Sequence, residues 1–131
     1  MSAMVPSTSK TPVIVEDPAG RLCFVGGSPG GPKIISTVAQ VLLGVIDDGL
    51  DVQTAAARPR VHHQWLPDRL DAEWGVPDAT LAALRALGWT VEQTDRFGAA
   101  NCVVVRYRRD GTYTLEGSAD PRRSDDAARG Y

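Results

Sequence analysis

Seven residues with almost no side-chain bulk, Gly26-Gly27-Ser28-Pro29-Gly30-Gly31-Pro32, separate a strand-like run from a helix-like one. The run before them, Arg21-Leu22-Cys23-Phe24-Val25, reads as a buried strand. After them, Lys33 to Asp48 carries apolar residues at 34, 35, 38, 41, 42, 45 and 46, the spacing of one buried helical face. A strand that turns this tightly into a helix exposes backbone N–H groups at the helix N-terminus. Orphan donors and the helix dipole both favour negative charge there. Such a turn is an anion cradle for a phosphate, a carboxylate or the oxyanion of an acyl-transfer intermediate. The same pattern also serves as a plain tight connection.

Nucleotide fingerprints fit poorly. No Gly-Lys-Ser/Thr follows the turn, as a phosphate-binding loop needs, and the G-x-G-x-x-G spacing is only loosely imitated. Asp51 stands at about the required 20-residue distance, but it follows Gly49-Leu50 rather than closing a second parallel strand. Serine at 28 is followed by proline, so the G-x-S-x-G elbow is absent too. No Ser-His-Asp or Cys-His arrangement is visible at a recognised spacing. Gly30 and Gly31 can therefore present amides to an oxyanion, while the nucleophile is expected from a segment outside this chain.

With 131 residues the chain has the length of one domain and enough apolar content for a core. A net charge of −2 gives no dominant basic surface, which argues against nucleic acid as a partner. Arg106 to Arg109 and Arg122-Arg123 are short runs with acids nearby, expected to be a solvated strand end and a solvated tail. Cys23 and Cys102 lie inside apolar strand-like runs and read as free buried thiols. No apolar run reaches the length of a membrane span, and no signal peptide opens the chain. His62 and His63 are adjacent, so on a strand they point to opposite faces. With no third ligand evident, packing rather than metal binding is expected of them, and no cofactor is expected.

In chain order, Thr11 to Val15 begins a strand, Asp17-Pro18-Ala19-Gly20 turns it, and Arg21 to Val25 returns it to the glycine turn. The long helix runs from Pro32 to about Gly49, with Asp47-Asp48 opposing its dipole and in need of a partner. Asp51 caps a short helix through Ala57 that Pro59 closes. Leu70 to Trp74 alternates apolar and acidic residues, the pattern of a half-exposed strand. Pro77 opens a helix with Leu81, Leu84 and Leu87 on one face and Gly88 at its end, and Thr90 to Thr94 is a strand. Asn101 to Tyr107 and Thr112 to Glu116 flank Asp110-Gly111, a hairpin signal. Residues 117–131 read as loop or tail. Two helical layers and about seven strands give an α+β fold with a mainly antiparallel sheet and no complete βαβ series. Several faces of these elements would need covering by something outside the chain.

Against this background the sequence resembles the C-terminal part of the small subunit of gamma-glutamyltransferase (gamma-glutamyl transpeptidase), an N-terminal nucleophile hydrolase. The likeness is collinear over nearly the whole chain. It runs through Ser2-Ala3-Met4 with Pro6, Gly27-Ser28-Pro29-Gly30-Gly31 and the stretch Asp51 to Arg60. It continues through His62-His63-Gln64-Trp65-Leu66-Pro67-Asp68, Pro77-Asp78-Ala79-Thr80-Leu81, Ala119-Asp120-Pro121-Arg122 and Gly130-Tyr131. The resemblance implies part of a four-layer α/β/β/α sandwich, incomplete without upstream segments, with residues 1–131 as a single domain. It implies transfer or hydrolysis of the gamma-glutamyl group of glutathione-like donors, with Gly30 and Gly31 as the oxyanion-hole glycines. Ser2 falls on the first of two serines that hold the donor's alpha-carboxylate, and Ala3 replaces the second.

By the same resemblance, the nucleophilic threonine, the alpha-amino site and the large-subunit arginine clamp lie upstream of Met1. The expected partners are thus that N-terminal part or large subunit and a gamma-glutamyl donor, and the expected location is periplasmic or extracellular. The alternative is a non-catalytic remnant, a binding or assembly module lacking the nucleophile.

Overall fold

Phe24 and Val104, from the larger of two sheets, and the helical Val41 belong to one buried apolar cluster. The computed structural model describes residues 12–124. Strands β1 (Val13–Glu16) and β2 (Leu22–Gly27) form an antiparallel hairpin in which Val15 pairs with Phe24. Asp17 shapes its turn, accepting from the Ala19 and Arg21 amides at 2.9 Å each. From the end of β2 the chain passes through a single 3-10 turn (Gly31–Lys33) into α1 (Ile34–Ile46) and then α2 (Val52–Ala57). The predicted long helix therefore starts with a tighter turn, and its α-helical part is shorter at both ends.

The cap at Asp51 holds, since its carboxylate accepts from the Thr54 amide at 2.8 Å. Of the two carboxylates that close α1, Asp48 finds its partner in Arg58. Ile34, Val38, Val41 and Val45 of α1 and Val52, Ala55 and Ala56 of α2 bury against one face of the sheet.

The strands that complete this sheet arrive late in the chain. After β3 (Val61–His62), β4 (Leu70–Glu73) and β5 (Val91–Thr94), which form a separate sheet, β6 (Asn101–Tyr107) pairs antiparallel with β2, Phe24 opposite Val104. Strand β7 (Tyr113–Gly117) returns along β6 across the Asp110-Gly111 turn, giving the order β1-β2-β6-β7. Because strand side chains alternate faces, the residues between the core positions gather on the opposite face. Ile14 opposes Val25, Val25 opposes Val103, and Val105 opposes Leu115. No described element covers this apolar face, and Ile14 and Leu115 stay 66% and 63% exposed.

A second sheet of order β3-β4-β5 comprises β3 (Val61–His62), β4 (Leu70–Glu73) and β5 (Val91–Thr94). Strands β4 and β5 run parallel and are joined through α3 (Asp78–Ala86), a single βαβ unit and not a series, while every other strand pair is antiparallel among the described residues. Leu81 of α3 buries with Leu70, Ala72 and Val76. Leu84 is half-buried, and Leu87, just past the helix end, is exposed. The half-exposed strand expected at Leu70 to Trp74 is also corrected. All four residues of β4 are buried, because it is the central strand and its two acids are drawn into internal ion pairs. No helix among the described residues is long and apolar enough to cross a membrane.

Candidate active site

The glycine turn sits where β2 ends and α1 begins. Gly30 has φ +135° and Gly31 φ +56°, values that L side chains adopt rarely or not at all, so the 3-10 entry to α1 requires glycine at both. Both glycines are exposed, and no described residue accepts a hydrogen bond from either amide. Backbone N–H groups at a helix entry are in general suited to negative charge, by geometry and by dipole. The register Val13 opposite Gly26 brings the chain into β1 beside this turn. Ser2 and Ala3, the other candidate binding residues, lie outside the described residues.

Ser28 anchors the turn from below. It is fully buried, its Oγ accepts from the Ala99 amide at 3.0 Å, and its O–H donates to the Pro29 carbonyl at 2.7 Å. Residues 97–100 thus run as a strap behind the turn and the start of α1, close enough that a Cβ on Gly98 would lie 3.1 Å from Ser28 Oγ and 2.6 Å from Thr37 Oγ1.

Four buried charges grip that strap. Glu73 accepts from the Phe97 amide at 2.7 Å and the Arg60 amide at 3.1 Å, and the Arg122 guanidinium holds it through Nε at 2.8 Å and through Nη2. Asp120 accepts from the Ala100 amide at 2.7 Å, from Arg60 Nη2 at 2.7 Å and from Arg122 Nη1 at 3.1 Å. Arg60 also donates to the Phe97 carbonyl at 3.0 Å and the Ala56 carbonyl at 2.7 Å. Burial alone would raise the Asp120 pKa, but the hydrogen bonds from Arg60, Ala100 and Arg122 outweigh it and hold the carboxyl below its ordinary value. Burial pulls the Arg60 pKa down, whereas Glu73 and Asp120 raise that of Arg122 against its own burial.

The expectation of a solvated Arg122 is therefore wrong. Its side chain is 3% exposed, because two buried carboxylates and the Ala56 and Arg58 carbonyls satisfy it. Arg60, Glu73, Asp120 and Ser28 were not singled out as site-forming from the sequence. Arg60 and Asp120 stand in the motifs that carry the family resemblance, but nothing local announces that they meet.

The two histidines are each engaged within the fold. His62 Nδ1 lies 2.6 Å from Ser36 Oγ and its Nε2 3.0 Å from Gln64 Oε1, a pairing that puts the ring proton on Nε2. His63 faces the other way, with Nε2 3.3 Å from Asp68 and its ring edge against Trp89. A cleft of about 240 Å³ beside them is lined by Lys33, His62, Gln64, Pro67, Arg69 and Asp71. Its cations are already paired, Lys33 and Arg69 with Asp71, and Arg69 with Glu92. Both cysteines are free, and burial pushes the Cys102 thiol up to about 11, so it stays protonated at neutral pH.

The fold has counterparts among solved N-terminal nucleophile hydrolases, which sets its class as part of such an α+β fold. The chain belongs to the Gamma-glutamyltranspeptidase family, whose sequence model matches residues 4–130. It is 43% identical over 127 residues to the glutathione hydrolase proenzyme of Escherichia coli K12, covering 96% of this chain and 21% of that protein. It superimposes on the T380A mutant of Helicobacter pylori gamma-glutamyltranspeptidase with a TM-score of 0.81 at 36% identity, covering 94% of this chain and 66% of that one. The Pseudomonas nitroreducens enzyme complexed with L-DON gives a TM-score of 0.77 at 30% identity, over 98% of this chain and 68% of that one. The chain thus spans about a fifth of the length of the E. coli relative.

Proposed function

We propose that this chain supplies the oxyanion-stabilising end of a gamma-glutamyl transfer or hydrolysis site. The Gly30 and Gly31 amides would receive the developing negative charge on the gamma-carbonyl oxygen of a glutathione-like donor. The observation that carries this reading is the pair of exposed N–H groups at the entry to α1, for which no acceptor stands among the described residues. Donors fixed in place before reaction cost no reorganisation when the charge forms. Ser2 is assigned to the donor's alpha-carboxylate, with Ala3 removing the second hydroxyl.

The nucleophile is assigned to a segment outside these 131 residues. Ser28 is buried and already donates its proton to Pro29, and the Cys102 thiol is protonated and buried. The uncovered sheet face bearing Ile14, Val103 and Leu115 supports a partner segment, because an apolar face of this kind is stable only when another layer packs on it.

The test is turnover of a gamma-glutamyl anilide by the full-length protein and by its Gly30→Ala variant. Alanine cannot hold φ +135°, so the amides are re-aimed. We expect kcat to fall by roughly 10²–10³, the usual cost of losing an oxyanion donor. Unchanged kcat in the variant would refute the reading, as would clear turnover by the isolated chain.

A further inference from the structure

Ser28 has a role in this site that neither its motif nor its burial announces. The turn from Ser28 to Gly31 contains two glycines and a proline, and it has little of its own to fix where the Gly30 and Gly31 amides point. Covalent continuity with β2 and α1 sets its ends. Between those ends, among the described residues, the only side-chain hydrogen bonds are the two made by Ser28. One closes locally on Pro29. The other reaches Ala99, 71 residues along the chain.

A buried hydroxyl with both roles used is expensive to remove, because the Ala99 amide would lose its acceptor in a site closed to water. The strap that Ser28 holds is itself immobilised at both ends, by Glu73 and Arg60 at Phe97 and by Asp120 at Ala100. Its middle is Gly98, whose Cα lies 3.8 Å from where a Cβ on Gly30 would stand. Besides the Lys33 N–H that the Gly30 carbonyl accepts at 3.2 Å, the turn is thus tied to the charged frame through one hydroxyl.

We propose that Ser28 is the positioning residue of the candidate oxyanion hole, setting the direction of the Gly30 and Gly31 amides by pinning the turn to residues 97–100. This inference rests on the oxyanion reading above. Catalytic groups displaced by about 1 Å can cost on the order of 10² in rate without loss of ground-state binding. A lost pin should therefore appear in kcat rather than in KM.

The experiment compares the full-length protein with Ser28→Ala and Ser28→Cys, rates being normalised to folded protein. The readouts are amide resonances of selectively ¹⁵N-labelled glycine, hydrogen exchange at Ala99, and kcat and KM on a gamma-glutamyl anilide. Ser28→Ala is expected to move the Gly30 and Gly31 resonances, leave those of the remote Gly88 and Gly111 in place, and speed exchange at Ala99. Its kcat should fall roughly 10²-fold while KM stays within about threefold. Ser28→Cys, whose thiol is a weaker hydrogen-bonding group, should fall between, and it decides the matter if the alanine variant does not fold. Unmoved Gly30 and Gly31 resonances, or parent-like kcat in a folded variant, overturns the proposal. Moved resonances in a parent protein that shows no turnover would sink the oxyanion reading while leaving the positioning of the turn in place.

Discussion

Phe24 and Glu73 are equally inaccessible, at 1% and 0% exposure, yet the regions they anchor are held by different forces. Phe24 and ten other buried residues without a formal charge fill the space between the four-stranded sheet and α1 and α2. Around Glu73, only four apolar residues form a cluster, and the layer toward the glycine turn is filled by Arg60, Asp120 and Arg122 instead. Hydrophobic burial is non-directional and tolerates small shifts. A buried ion quartet tolerates none, because an unmet charge is costly. The rigid, direction-giving material lies behind the candidate site, and the adaptable material lies under the helices.

The sharpest way to break this contrast is to remove one charge. Glu73→Ala leaves the Arg122 guanidinium and the Phe97 and Arg60 amides without their acceptor. It is expected to cost about 3–5 kcal/mol, read by chemical denaturation of the full-length protein. Phe24→Ala should cost a similar or slightly smaller amount, about 3–5 kcal/mol, through cavity formation. The two should part in their second effect. Glu73→Ala should also perturb the Gly30 and Gly31 amides, whereas Phe24→Ala leaves turnover per folded molecule close to parent. If both variants spared the glycine amides, the idea of a charged frame would be lost.

Next in size is Gly26→Ala, whose Cβ would fall 2.7 Å from Cys102 Sγ and from the Phe24 ring. Overpacking of this kind costs about 1–3 kcal/mol, visible as a lower melting temperature. The mildest test is acid. Asp120 has a folded pKa below its ordinary value of 3.8, so the unfolded chain takes up its proton first. The stability it contributes is complete above pH 3.8 and is lost as pH falls through that value toward the folded pKa. A stability profile that instead fell on the alkaline side of neutrality would argue against the quartet as its source.

What was legible in the sequence was what is locally encoded. The glycine turn, the cap at Asp51, the Asp17–Gly20 and Asp110-Gly111 turns and the buried stripe of α1 depend on neighbours within a few residues. The frame behind the site is not of that kind. Leu70-Asp71-Ala72-Glu73 has the alternation of a strand with one wet face, and only the arrival of Arg122, 49 residues later, makes Glu73 an interior residue. Arg60 meets Asp120 across 60 residues. Charged residues carry no periodic signature of burial, so local pattern assigns them to solvent. The parallel β4–β5 pairing was missed for a related reason, since α3 between them is short and only lightly buried.

Asp120 and Arg122 stand near the end of the described chain and close a frame begun at Arg60. During synthesis, then, the Ala100 end of the strap behind the glycine turn has no acceptor until Asp120 has been made. A chain stopped before position 118 would carry every element named above and still present Glu73 and Arg60 as unpaired charges.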